Sequence, residues 1–576
     1  RLAYDVVLAS VTSLSVDWSS YVEVAHSSFK LSQESLGNDS KIRFTLLRAS
    51  EIAHRNSLLR GMSLADPRAS HPEDRKLAQM VFCIDVRSER IRRQLESQSS
   101  DIETFGFAGF FGMAFEYATL GQTSGNLQLP VLLKSQFVVH ECIQETDSSR
   151  ERSAVTARQN LRTWRALWKG FQASATSCFA FVETTGLMFG VKLLSRVVGS
   201  SYSSKLSDAK FDGIEMEDRS ALGPTLRGLN HQGITTSRQA DLAEGMLRNL
   251  GLTKNFARLV VFCGHACQTE NNPLAAGLDC GACGGHSGEP NARFAAMLLN
   301  QPYIRQALAD RGIKIPDDTY FLGALHNTTT DQIGFFDVEA MPEEQQDAWQ
   351  ELSSSCVSAT CQTQAERMPL ISAHSQAELL RRAVDWSEVR PEWGLAGNAS
   401  FIIAPRSMSR KANLDARSFL HSYDYTQDAE GQVLETIMTA PMIVANWINM
   451  QYYASTVDNR YFGSGTKTVH NVVGSFGILS GNGGDLMTGL PWQSLHTGEK
   501  CQHLPMRLQV VIHAPRAMIE RVIVKHQLVS DLLTGSWLHL VAIEDQIVYR
   551  YTQSGEWESL NMESDFCASK SGVAKR

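Results

Sequence analysis

The sequence predicts an α/β protein built around a doubly wound parallel sheet, and three observations point there. Apolar runs of strand length alternate with amphipathic helical stretches through the first two thirds of the chain. Runs such as Leu77 to Ile84 are apolar almost throughout, as strands buried on both faces must be. The 576 residues are 43% hydrophobic and 20% charged, the profile of a globular chain of roughly two to four domains with a large core.

The elements follow in order. Leu77 to Ile84 reads as a buried strand, followed by a charged helix from Ser88 to Glu96. A mostly helical insertion spans about 151–198, and its Trp164, Leu167, Trp168 and Phe171 recur at helical spacing and are expected in the core. The alternation resumes with a helix Gln239 to Leu250, a strand Arg258 to Cys263, a glycine-rich loop Gly277 to Gly288, a helix Ala292 to Leu308 and a strand Tyr320 to Leu325. After about Leu370 the texture changes, with Gly/Asn-rich loops such as Gly481 to Gly484 and a strand Leu508 to His513. The expected organisation is a remnant of an N-terminal region over 1–70, a doubly wound core over 71–370 that carries the helical insertion, and an α+β region over 371–576.

Charge and hydropathy narrow the function. With 54 Lys+Arg against 61 Asp+Glu the formal charge is -7, so a surface built on phosphate neutralisation is excluded and no nucleic-acid partner is expected. Ala173 to Leu194 is interrupted by Glu183 and Lys192, and Ala440 to Ala454 is short and carries Asn446 and Asn449; both read as buried helices, not membrane spans. Arg1 to Val16 lacks the pattern of a signal peptide, which predicts a cytosolic chain, and a start at Arg1 reads as a fragment.

The eleven cysteines, odd in number and unevenly spaced, read as reduced thiols and so as metal ligands before disulfides. Cys83-Ile84-Asp85-Val86-Arg87 delivers a thiolate, a carboxylate and a guanidinium in alternation from a strand end, and the helix starting near Ser88 is expected to favour an ionised Cys83. A second cluster holds Cys263, His265, Cys267, Cys280 and Cys283 among glycines. Sulfur and imidazole are the ligands zinc prefers, and two partitions are open. Cys263, Cys267, Cys280 and Cys283 close a four-thiolate structural knot, or Cys83, His265 and Cys280 form a three-ligand site whose fourth position goes to Asp85 or water. Gly463 to Thr468 fails the phosphate-loop spacing, and Gly106, Gly109 and Gly112 are not a dinucleotide fingerprint but fit close packing. His326 is as readily a satisfied loop histidine as a pocket residue.

In residue type, the C-x-D-x-R element with the later His and Cys resembles the zinc site of β-class carbonic anhydrases. The longer run of Gly264-His265, Asn271-Asn272-Pro273, Leu278 to Gly285, Asn291-Ala292-Arg293 and His326 to Asp331 resembles the DabA family of inorganic-carbon transporter subunits, from about Phe44 to Ile543. Ala266 and Cys267 stand where small Gly/Ser-type residues are expected, and the N-terminal part expected of that family is largely absent. The resemblance implies a β-carbonic-anhydrase-like core with Cys83, Asp85, His265 and Cys280 as zinc-site residues. It implies Asp85 and Arg87 as a catalytic gate: Asp85 closes the site when it coordinates zinc, and Arg87 opens it by holding Asp85 away. It further implies hydration of CO2 to bicarbonate, coupled to a cation gradient. The implied partner is an integral membrane subunit related to the proton-translocating subunits of respiratory complex I (DabB-like), with peripheral attachment at the cytoplasmic face of the membrane.

Overall fold

The computed structural model describes residues 18–64, 75–130, 133–144, 148–197, 214–215, 218–219, 221–269, 272, 274–385, 387–463, 472–473, 476–477 and 489–560, with side chains from 39 onward and not at 192, 195–197, 472–473 or 476–477. Outside it lie Arg1 to Val16, Asn271 and Pro273 of the motif run, most of the phosphate-loop lookalike, and the Gly481 to Gly484 loop. The chain divides into two compact units at Leu59 and Arg60. In the first, helix α1 (Trp18–Gly61, running into the second) has a part-buried ion pair, Arg48 to the buried Glu51 at 2.8 Å. All that follows concerns the second unit.

Its first sheet contains β1 (Ala78–Cys83), β2 (Ile102–Phe107), β7 (Leu259–Ala266), β8 (Tyr320–Asn327) and β9 (Ile333–Phe336), in the order β2-β1-β7-β8-β9. All pairs are parallel except β8 with β9. Each of the six β1 residues is buried, as a strand covered on both faces requires. One face packs on α5 (Thr236–Leu250), α6 (Glu289–Leu299) and α7 (Pro302–Asp310) through Val81, Val260, Phe262 and Phe321. The other packs on α2 (Ser88–Gln98) and α8 (Glu343–Arg367) through Met80, Phe82, Val261 and Leu322. The expected doubly wound core is therefore present. From β1 the chain crosses to β2 on one side and later returns to β7 on the other, so a crevice opens beyond the carboxyl ends of β1 and β7, where open α/β sheets bind ligands.

Two expectations need correction here. The helix read as Ala292 to Leu308 is two, because Pro302 has no N–H to continue the first and starts the second. The helical insertion, α3 (Ser148–Ala173) and α4 (Cys178–Val197), is helical as expected, but its aromatic stripe is not core. Trp164 is 67% exposed and Leu167 65%, and α4, expected buried, leaves Leu187 93% exposed. Helical spacing fixes which residues share a face but not what covers that face.

Between β2 and the insertion, a smaller sheet forms from β3 (Phe115–Ala118), β4 (Asn126–Gln128), β5 (Val138–Ile143) and, after the insertion, β6 (Leu222–Pro224). The C-terminal third carries β10 (Ser400–Ile403), β11 (Ser418–His421), β12 (Leu508–His513), β13 (Leu538–Glu544), β14 (Ile547–Tyr551) and β15 (Trp557–Leu560), ordered β11-β10-β12-β13-β14-β15. Four of these strands run parallel, so this region is α/β with an antiparallel edge, where an α+β texture was expected. The helix expected near Ala440 to Ala454 is α11 (Pro441–Asp458) and is largely buried. Strand β11 closes on the end of the first sheet: Leu420 N donates to Ile84 O at 3.2 Å and Ser422 N to Gly106 O at 2.8 Å. A Cβ on Gly106 would stand 1.7 Å from Leu420 O, so only glycine admits this approach.

Candidate metal centre

Cys83 ends β1, His265 lies near the end of β7, and Cys280 opens the tight turn Gly281–Cys283, so the doubly wound topology brings three distant segments to one crevice. The ligand atoms of Cys83, His265 and Cys280 all lie within 4.8 Å of one another, and among the described residues this is the one His/Cys/Asp/Glu group so arranged. The three are 5%, 3% and 0% exposed. Hydrogen bonds from Gly285 N to Cys280 O at 2.9 Å and from Cys280 N to His286 O at 3.2 Å fix the turn that presents Cys280.

The set fits a metal ion on three counts. Neither ring nitrogen of the buried His265 has a hydrogen-bond partner, a costly state for an imidazole that a metal would relieve. Gly109, in the turn after β2, leaves the room the sulfurs need, since a Cβ there would stand 2.7 Å from Cys280 Sγ and 2.9 Å from Cys83 Sγ. Two sulfurs and an imidazole form a donor set suited to zinc. The remaining cysteines face carbonyls: Cys283 Sγ lies 3.4 Å from Gly109 O, Cys267 Sγ 3.7 Å from Ala275 O and Cys263 Sγ 3.7 Å from Gly264 O. The adjoining Cys280 and burial push the Cys83 thiol well above its ordinary value, outweighing the helix start expected to ionise it.

Asp85 stands beside this group, its Oδ2 3.7 Å from His265 Nε2. Arg87 grips it: Nε donates to Oδ1 at 2.9 Å, Nη2 to Oδ2 at 2.8 Å, and the backbone N to Oδ1 at 3.0 Å. The other arm of the guanidinium, Nη1, donates to Leu278 O at 2.6 Å, Thr328 Oγ1 at 3.1 Å and Glu392 Oε1 at 3.1 Å. Burial works to lower the pKa of Arg87, but Asp85 and Glu392 prevail and hold it well above the usual value. Glu392, 3% exposed, also accepts from Thr328 Oγ1 at 2.7 Å and Thr329 Oγ1 at 3.2 Å. Sequence reasoning missed this carboxylate, which lies 305 positions from Arg87 with no motif around it. His326, in register with His265 on the adjacent strand, is buried with Nε2 3.6 Å from Asp331 Oδ1 and stays outside the three-ligand group.

The fold and site together define a class: an α/β protein with a Cys-His-Cys group that could hold a metal ion at the switch point of a parallel sheet and an Asp–Arg pair at its edge. The chain belongs to the DabA family, whose sequence model, described as probable inorganic carbon transporter subunit DabA, matches residues 2–538. It is 48% identical to the probable inorganic carbon transporter subunit DabA 1 of Rhodopirellula baltica over 98% of this chain and 64% of that relative. It is 45% identical to the DabA 2 subunit of Bradyrhizobium sp. strain BTAi1, over 92% of this chain and 64% of the relative. With the Chloroflexus aurantiacus subunit the identity is 47%, over 89% of this chain and 62% of the relative. The chain thus spans a little under two thirds of these relatives. No solved structure matches it.

Proposed function

We propose that this chain is the zinc-bearing subunit of an energy-coupled inorganic-carbon pump that hydrates CO2 to bicarbonate in one direction. The observation that carries the reading is the convergence of Cys83, His265 and Cys280 beside the Asp85–Arg87 pair. In ligand type and in that pair, the site is similar to β-class carbonic anhydrases. The names of the relatives, transporter subunits for inorganic carbon, support the substrate class and imply a partner.

Cys83, His265 and Cys280 would hold the metal. When bound, zinc supplies a Lewis acid that makes water a nucleophile near neutral pH. Ile84, Phe110 and Ala282 pack against the sulfurs and form an apolar wall suited to CO2, which carries no charge to satisfy. Asp85 is close enough to the ligand set to take a fourth position and is held off it by Arg87, so breaking that pair closes the site. Glu392 holds Arg87 from behind and keeps it aimed at Asp85.

An energy source must come from elsewhere, because nothing in the centre makes hydration one-way. We place that source in an integral membrane subunit resembling the proton-translocating subunits of respiratory complex I, with this chain docked at the cytoplasmic face. Among the described residues no helix is long and apolar enough to cross a membrane, in keeping with a peripheral role. The test is bicarbonate accumulation in cells carrying the chain with and without the partner. The reading requires uptake only with both and its collapse when the ion gradient is dissipated. Robust CO2 hydration by the isolated chain would leave an ordinary carbonic anhydrase.

A further inference from the structure

We propose that the α3–α4 hairpin is a lipid-binding element that buries its apolar helices in the surface of an anionic bilayer. The inference does not depend on the carbon chemistry proposed above.

Helix α4 is the first observation. Leu187, Met188 and Phe189 are 93%, 71% and 42% exposed, and three successive helical residues point about 100° apart, so between Glu183 and Lys192 apolar side chains stand exposed on every face of this turn. Among the described side chains of α4 only Phe181 is buried, against Trp168 and Phe171 of α3 at 5.3 and 5.6 Å between ring centres. A protein groove covers one face of a helix, whereas acyl chains can surround it. A helical turn apolar on every face belongs in a large core or in lipid.

Charge decides which lipid. Residues 148–197 carry eight Lys/Arg and two Glu, a net of +6 within a chain whose net is -7. Arg150 and Arg158 are ion-paired at the hairpin's base with Asp218 and Glu141, but residues 159–197 still carry five Lys/Arg against one Glu, so the overall sign conceals a basic projection. On α3 the exposed Arg162 and Lys169 lie on a different face from Trp164, Trp168 and Phe171, the division of basic and aromatic residues that interfacial helices show. The base of the hairpin is fixed: Arg158 pairs with Glu141 of β5 at 2.7 Å, and Ala154 packs with Leu120 and Ile143. The projecting part can then enter a membrane without unfolding the sheet that carries the metal centre.

The test is flotation of the full chain with vesicles of phosphatidylcholine, with and without phosphatidylglycerol, at low and high salt, with metal content read in the same samples. We expect binding only to the anionic vesicles, weakened by salt, and abolished by Leu187→Asp with Met188→Asp at unchanged metal content. Arg162→Gln with Lys169→Gln should weaken binding about twenty-fivefold at low salt, at about fivefold per charge. Three outcomes would overturn the proposal: no flotation with anionic vesicles, equal flotation with neutral ones, or a wild-type dimer by light scattering that Leu187→Asp splits. The last would assign the face to a second copy of the chain. Absence of partner-dependent carbon uptake by the wild-type chain, with its flotation intact, would count against the pump reading alone.

Discussion

Arg87 holds both carboxylate oxygens of Asp85, at 2.9 and 2.8 Å, while Asp85 Oδ2 lies 3.7 Å from His265 Nε2. The carboxylate is thus gripped on one side and lies beside the proposed metal ligands on the other. The proposed two-position switch needs this arrangement, which makes Arg87→Ala informative. Released, Asp85 should occupy the fourth ligand position. Metal content should stay at the wild-type level while carbon uptake is lost, and unchanged uptake in that variant would contradict the switch.

Ligand substitutions separate the two ways of partitioning the cysteines. Cys83→Ala or Cys280→Ala should lose the metal and loosen the loop around Cys280. Cys263→Ala and Cys267→Ala should keep it, since those sulfurs face backbone carbonyls. Metal stoichiometry by atomic emission checks both pairs.

Gly109→Ala tests the packing around the sulfurs without touching a ligand. Its new Cβ would meet both Sγ atoms inside van der Waals contact. Metal affinity, measured by competition with a chelator, should fall by about ten- to a hundredfold, the range seen when the surroundings of a metal site are disturbed.

Glu392→Ala removes a buried partner of Arg87 and the acceptor of two threonine hydroxyls. Leaving a buried guanidinium half-paired should cost about 3 kcal/mol in denaturant unfolding. Glu392→Gln keeps the acceptor oxygen and should recover part of that loss.

Acid should weaken the junction between the two large sheets. His421, at the end of β11, is buried between Phe107 and Phe401, and burial pulls its pKa down to about 4. An unfolded imidazole protonates near pH 6.5, so this contribution is complete above about pH 6.5 and is lost as the pH falls toward 4. It amounts to at most about 3 kcal/mol. His421→Phe should flatten the pH dependence of the urea midpoint over that window.

How far the sequence reached depended on whether chemistry was local. Cys83, Asp85 and Arg87 were readable together because one apolar strand ends in them, and His265 and Cys280 because the next such strand runs into a glycine-rich loop. Glu392 was not, since its role exists only after the chain has folded back onto the first sheet. The α3–α4 hairpin was misread for a different reason. Apolar residues at helical spacing look the same whether a core or a bilayer covers them. Pro302 hid a helix break because the apolar period continues through it.

X-ray absorption at the zinc edge of the purified chain bears most directly on the centre. We expect zinc at one per chain with two sulfurs and one imidazole nitrogen among its ligands, completed by oxygen. A first shell of four sulfurs would contradict it and return the cysteines to a structural knot.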